Sequence, residues 1–135
     1  MTRLSLAAVA GLGSLLLVMP AAAHHAFQAE FDANKQVKFS GTVTKLEWTN
    51  PHAWLYVDSK DENGTITSWS FELGSPNALL RRGWRRTSLN SGDQVTIEGF
   101  AAKDGSNTAN AQNATLPDGR TVFAGSQNTP SGSDK

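Results

Sequence analysis

The sequence predicts an all-β fold: a small five-stranded OB-like Greek-key barrel with one short α-helix between strands 3 and 4. Three observations predict it. Runs with two-residue apolar alternation recur along the chain, separated by turn residues. One short, well-capped helical segment follows the third run. The first run is long and changes parity in its middle, as a strand does when it bends to serve both sides of a barrel. A two-sheet sandwich would need more strands than the sequence offers.

The chain has 135 residues and opens "MTRLSLAAVAGLGSLLLVMPAAA". Arg3 supplies a basic start, Leu4 to Met19 an apolar stretch, and Ala21-Ala22-Ala23 a small-x-small cleavage pattern after Pro20. The apolar run is short for a membrane span, which takes about 20 residues. Residues 1–23 therefore read as a secretory signal, and the mature protein is expected in the periplasm with His24 at its N-terminus. Cleavage after Ala22 would set Pro20 at a recognition position and is disfavoured.

Residues 24–35, beginning "HHAFQAEFDAN", form an N-terminal arm. Phe27 and Phe31 lie four apart and share one side of a helical turn, so the arm should dock on the domain. Residues 36–125 form the barrel domain. Its first strand, "VKFSGTVTKLEW", sets Val37, Phe39, Gly41 and Val43 on one face. Leu46 and Trp48 continue on the opposite count, which implies a bulge. After the Asn50-Pro51 turn, "HAWLYVD" places Ala53, Leu55 and Val57 on an apolar face and His52, Trp54 and Tyr56 on the other. Asn63-Gly64 signals a hairpin, and "ITSWSFEL" returns with Trp69, Phe71 and Leu73 together.

The helix is signed at both ends. Ser75 is a good N-cap and Pro76 suits the first turn. Arg81 and Arg82 suit the C-terminal dipole. Gly83 stands where a left-handed residue is needed, with Trp84 able to fold back on Leu79. "QVTIEGF" supplies the fourth strand, and "ANAQNATL-PDG-RTVFAG" a last hairpin. Residues 126–135, beginning "SQNTPSGS", lack apolar side chains and are expected to be disordered.

Composition narrows the function. Twelve Lys and Arg balance twelve Asp and Glu, and loss of Arg3 leaves the mature chain one charge negative. That is no footprint for nucleic acid, and no membrane span is expected after cleavage. There is no cysteine, and both methionines, Met1 and Met19, lie in the signal. Any metal must then use imidazole, amine, carboxylate or carbonyl donors, which disfavours Cu(I) and iron–sulfur chemistry.

The blocks "HHAF", "WTNPHAWLYV", "WSFELGSPNALLRRGW", "GDQVTIEGF", "AKDGS" and "LPDGRTVFAG" resemble a family of small exported bacterial proteins classed as a domain of unknown function. The resemblance spans nearly the whole mature chain. It implies a periplasmic single domain and no particular reaction. The strand order is also similar to periplasmic OB-fold modules and to the haem-chaperone barrel of cytochrome c maturation. That likeness concerns fold alone.

Three groups of residues can carry chemistry. The first is His24, His25 and His52, the chain's three histidines. A mature N-terminal His24 offers its α-amine and Nδ1 as a chelate, and a second imidazole completes a planar nitrogen set that suits Cu(II). The second imidazole comes from His52, with His25 assisting, or from His25 itself. Cleavage after Ala22 would instead put a histidine third, an amine-and-amide chelate. Against these stands the ordinary reading of paired terminal histidines as an incidental terminus, and of His52 as a turn residue. Copper is the one cofactor the sequence suggests.

The second group is Trp48, Trp54 and Tyr56, an aromatic face for a small ligand, a glycan or a periplasmic protein partner. The same rings could instead cover Phe27 and Phe31. The third is Arg81, Arg82, Arg85 and Arg86, able to clamp an anion. The ordinary account, which the sequence favours, is a solvated, dipole-compensating helix end paired with carboxylates such as Glu72, Asp58 and Asp93. No catalytic motif or singled-out carboxylate pair is present. The sequence therefore reads as a binding protein rather than an enzyme. Cu(II) binding is the leading expectation, and a metal-free interaction module the alternative.

Overall fold

The fold is taken from a computed structural model that describes residues 21–131, with side chains from residue 26 onward. The order is α1 (Ala21–Glu30), β1 (Phe31–Glu47), β2 (Trp54–Lys60), β3 (Ile66–Glu72), α2 (Pro76–Arg81), β4 (Gln94–Ala102), β5 (Thr108–Thr115) and β6 (Thr121–Phe123). The strands run β3-β2-β1-β4-β5-β6, and a parallel β3–β5 pairing closes the circuit. Five strands make the barrel, with the helix between the third and fourth, which is the OB arrangement. The short β6 is a sixth strand beyond the expected five. It pairs with β5 from Asn113 to Thr115, past the stretch from Thr108 to Asn110 that β3 covers.

β1 closes the barrel because it bends. Its 17 residues pair with β4 along the first part and with β2 along the second. The register with β2 skips between Val43 and Lys45, where the sequence changes parity. Gly41 sits at the inside of the bend. A Cβ there would run into the Asp58 carbonyl and the Val57 side chain, so the strands approach closely only because Gly lacks one.

The alternation sets the core. Leu55, Val57, Phe71, Leu73, Val95 and Ile97 point inward with Val43 and are buried. Trp69 is half-buried, its ring 4.1 Å from that of Phe39. α2 plugs the barrel with Leu79. Ser75 Oγ accepts from the Ala78 amide, the Gly83 amide donates to Leu80 O, and the Trp84 amide donates to Leu79 O. These last two bonds form a Schellman motif, which needs the positive φ of Gly83 at 93°. Trp84 then enters the core at 1 % exposure, and its indole Nε1 donates to Phe123 O at 2.9 Å.

Both chain ends differ from expectation. The arm is not a separate segment ending at residue 35. α1 runs directly into β1, and Phe31 already pairs with Ala102. Phe27 and Phe31 are buried as expected, but on Phe100 and Ala102 rather than on Trp54 and Tyr56. The last carbonyls of α1 are met by Lys103, whose amide donates to Glu30 O and whose Nζ donates to Gln28 O. Part of the expected disordered tail is also ordered. Thr129 is buried, and Gln112 Nε2 donates to Pro130 O at 2.6 Å. Polar side chains hold this segment, so its lack of apolar residues did not forecast its order.

Candidate functional site

The two ends of the described chain meet at one rim of the barrel, and His52 stands between them. The turn after β1 carries His52, with Thr49 Oγ1 donating to its carbonyl. The Ala53 amide donates to Gly74 O, and the Leu73 amide to Ala53 O. These bonds fasten the His52 turn to the end of β3, where Glu72 lies. His52 Nδ1 is 3.3 Å from Glu72 Oε1.

Glu72 also accepts from Asn110 Nδ2 on β5, at a long 3.5 Å, and Asn110 Oδ1 accepts from Thr129 Oγ1 at 2.7 Å. A polar relay thus runs His52–Glu72–Asn110–Thr129, from a half-exposed imidazole to a buried hydroxyl. Burial raises the Glu72 carboxyl above its ordinary value. The Glu30 charge adds to that shift, while His52 and the Asn110 hydrogen bond oppose it.

Two hollows flank His52. One, of about 170 Å³, lies under α1 and is lined by Phe27, Glu30, Phe31, His52, Glu72 and Asn110 among others. The other, of about 660 Å³, lies toward α2 and is lined by His52, Ser75, Ala78, Arg81, Arg82 and the 126–128 segment. His52, Ser126 and Asn128 border both. The first side is acidic and the second basic, with the imidazole between.

Residues 14–111 match a family of unknown function, DUF6152. The chain belongs to this family. None of the curated proteins matches it. Among solved structures it is similar to the dimeric N-terminal domain of the PriB protein from Thermoanaerobacter tencongensis. The identity is 19 % over 62 % of this chain and 96 % of that one, with a TM-score of 0.41. Family membership carries no activity, so the site must be read from its residues.

Of the expected metal ligands, His52 is at the rim, whereas the side chains of His24 and His25 lie outside the described residues. The same is true of most of the expected signal, residues 1–20. Among the described residues, no three His, Asp or Glu side chains group as a metal site, and no helix is long and apolar enough to cross a membrane.

The aromatic trio is not gathered. Trp48 packs against the main core. Trp54 lines a hollow with Phe31 and Lys103, and Tyr56 lines another with Trp69. The Tyr56 hydroxyl donates to Glu47 Oε2 at 3.0 Å. The arginines divide. Arg81 and Arg82 border the His52 cleft, while Arg85 Nη1 donates to the Trp84 carbonyl and neither Arg85 nor Arg86 lines that cleft. Nor do the carboxylates pair with them: Glu72 takes His52, Asp58 accepts from Ser68, and Asp93 accepts from the Asn90 amide.

Sequence reasoning missed Glu72, Asn110 and Glu30 as site residues. Glu72 was visible as a strand carboxylate with nothing to single it out. The β2–β3 pairing sets Glu72 opposite Trp54 and so near the His52 turn, and barrel closure through β3–β5 adds Asn110.

Proposed function

We propose that this family member is an exported, periplasmic binding protein that holds Cu(II) through His52 and a mature N-terminal His24, with His25 assisting. One observation carries the reading. Phe27, three residues after His24, is buried in the small hollow that His52 also lines. Three residues span about 10 Å even when extended, so the Phe27 anchor ties the arm's start to the neighbourhood of His52.

The chemistry of His52 supports it. A carboxylate on Nδ1 fixes ring orientation and tautomer and leaves Nε2 for a ligand, the usual outer-shell pattern of metal-bound imidazoles. In the absence of thiolate and thioether, an amine and imidazoles form a nitrogen set of the kind Cu(II) prefers.

The test is electron paramagnetic resonance of the exported protein with one equivalent of Cu(II), after mass measurement of its N-terminus. An axial, nitrogen-rich spectrum that changes on His52→Ala is expected. A spectrum identical to that of a free His-His peptide and unmoved by His52→Ala would overturn the reading.

A further inference from the structure

We infer that the larger cleft beside His52 binds an oxyanion, the carboxylate or phosphate group of a small ligand, through Arg81 and Arg82. This inference does not rest on the copper reading and uses the other side of the imidazole.

The cleft's volume, about 660 Å³, falls within the usual range for small-molecule sites. Its walls carry two guanidinium groups and the His52 ring, and among the described residues no carboxylate lines it. Glu72 and Glu30 border the neighbouring hollow instead. A partly enclosed space with two cations and, among the described residues, no anion is an electrostatic deficit that a bound oxyanion would fill.

The two arginines come prepared differently. The Arg82 guanidinium lies over the Phe123 ring, its carbon 4.1 Å from the centroid. Stacking holds the plane and leaves the N–H edge for an acceptor, at little further cost in side-chain freedom. Arg81 is exposed in the last turn of α2, where it can swing onto a ligand. Also lining the cleft, Ser75 Oγ accepts the Ala78 amide as the helix N-cap, so its own hydrogen remains available to donate to an oxyanion. The side-chain amide of Asn128 offers a further donor.

Arginine forks match planar carboxylates and phosphates alike, so the ligand's oxyanion is the shared chemistry. The full chain, expressed with its own N-terminal segment and freed of metal, is titrated with inorganic phosphate and separately with succinate while backbone amide resonances are followed. Saturating shifts at Ser75, Ser126 and Asn128 are expected with at least one of the two, and which one saturates identifies the oxyanion. Arg81→Gln and Arg82→Gln should each weaken that binding by about tenfold or more, the loss of one charge-assisted hydrogen bond. Should Arg82→Gln disturb β6, Arg81→Gln alone decides. Saturation by neither anion, or saturation unchanged in Arg81→Gln, overturns the inference.

Discussion

The barrel interior and the rim around His52 are built from different materials and by different rules. Phe71, Leu55, Ile97 and Leu79 are apolar and at most 0 % exposed. The first three meet because alternate residues of each strand face inward, whatever the partner strand is, and Leu79 joins them from α2. At the rim, His52, Glu72, Asn110 and Thr129 satisfy one another by hydrogen bonds and charge. They come from a turn, two strands and the C-terminal segment, and no single element's pattern places them together. The interior therefore tolerates no loss of volume, whereas the rim tolerates change at a modest cost and can carry specificity.

The sharpest test of the interior is Trp84→Ala. It removes the largest fully buried side chain and its bond to Phe123 O. The expected loss is about 3–5 kcal/mol of unfolding free energy, read by urea denaturation. A loss near that of a surface substitution would show that α2 is an appendage and not the barrel's plug.

Next comes Phe27→Ala at the edge between the two regions. Among the described residues, Phe27 packs in the small cluster with Phe31, Phe100 and Ala102, its ring edge-on to Phe100 at 5.7 Å. About 2 kcal/mol should go, the worth of burying one such side chain. Amides of residues 26–31 should exchange faster while those of β2 and β3 keep their protection relative to the global stability. Uniform loss of protection would mean that the arm and the barrel are one cooperative unit.

Within the rim, Thr129→Val keeps the shape and deletes the hydroxyl bonded to Asn110 Oδ1. Asn110 Oδ1 loses that donor and the Ser126 amide loses its acceptor at 3.0 Å, at a combined cost of about 1–2 kcal/mol in thermal or urea unfolding. A neutral result would show that the 126–131 segment contributes nothing to the relay.

The same contrast explains what the sequence made legible. Strand alternation, the slip after Val43, the Asn63-Gly64 turn and the capped helix are local signals, and each corresponds to an element in the fold. The order of those elements then sufficed for the barrel. At the rim, His52 was legible because histidine is rare in this chain. Glu72 and Asn110 were not, because their meeting depends on the parallel β3–β5 pairing between distant segments. The ordered tail was missed for a related reason. Composition reports apolar burial, and Thr129 and Pro130 are held by polar bonds to Asn110 and Gln112.

The smallest effect, and the most specific to the rim, is the pH dependence carried by Glu72. Its carboxyl is raised in the folded protein, chiefly by burial, so the folded state holds the proton more tightly than the unfolded chain does. Its contribution to stability is therefore fully present below the unfolded value, about 4.3. It is lost as pH rises through the higher folded value. The stability difference between wild type and Glu72→Gln should fall as pH rises above that point and then level off, which paired urea titrations between acid and neutral pH would show. His52 opposes the shift from 3.3 Å away. Removing it in His52→Gln should raise Glu72 further and make the fall steeper, provided the Asn110 bond persists. A difference curve that rises with pH would mean that His52 and Asn110 outweigh burial, and that the rim holds Glu72 as a carboxylate throughout.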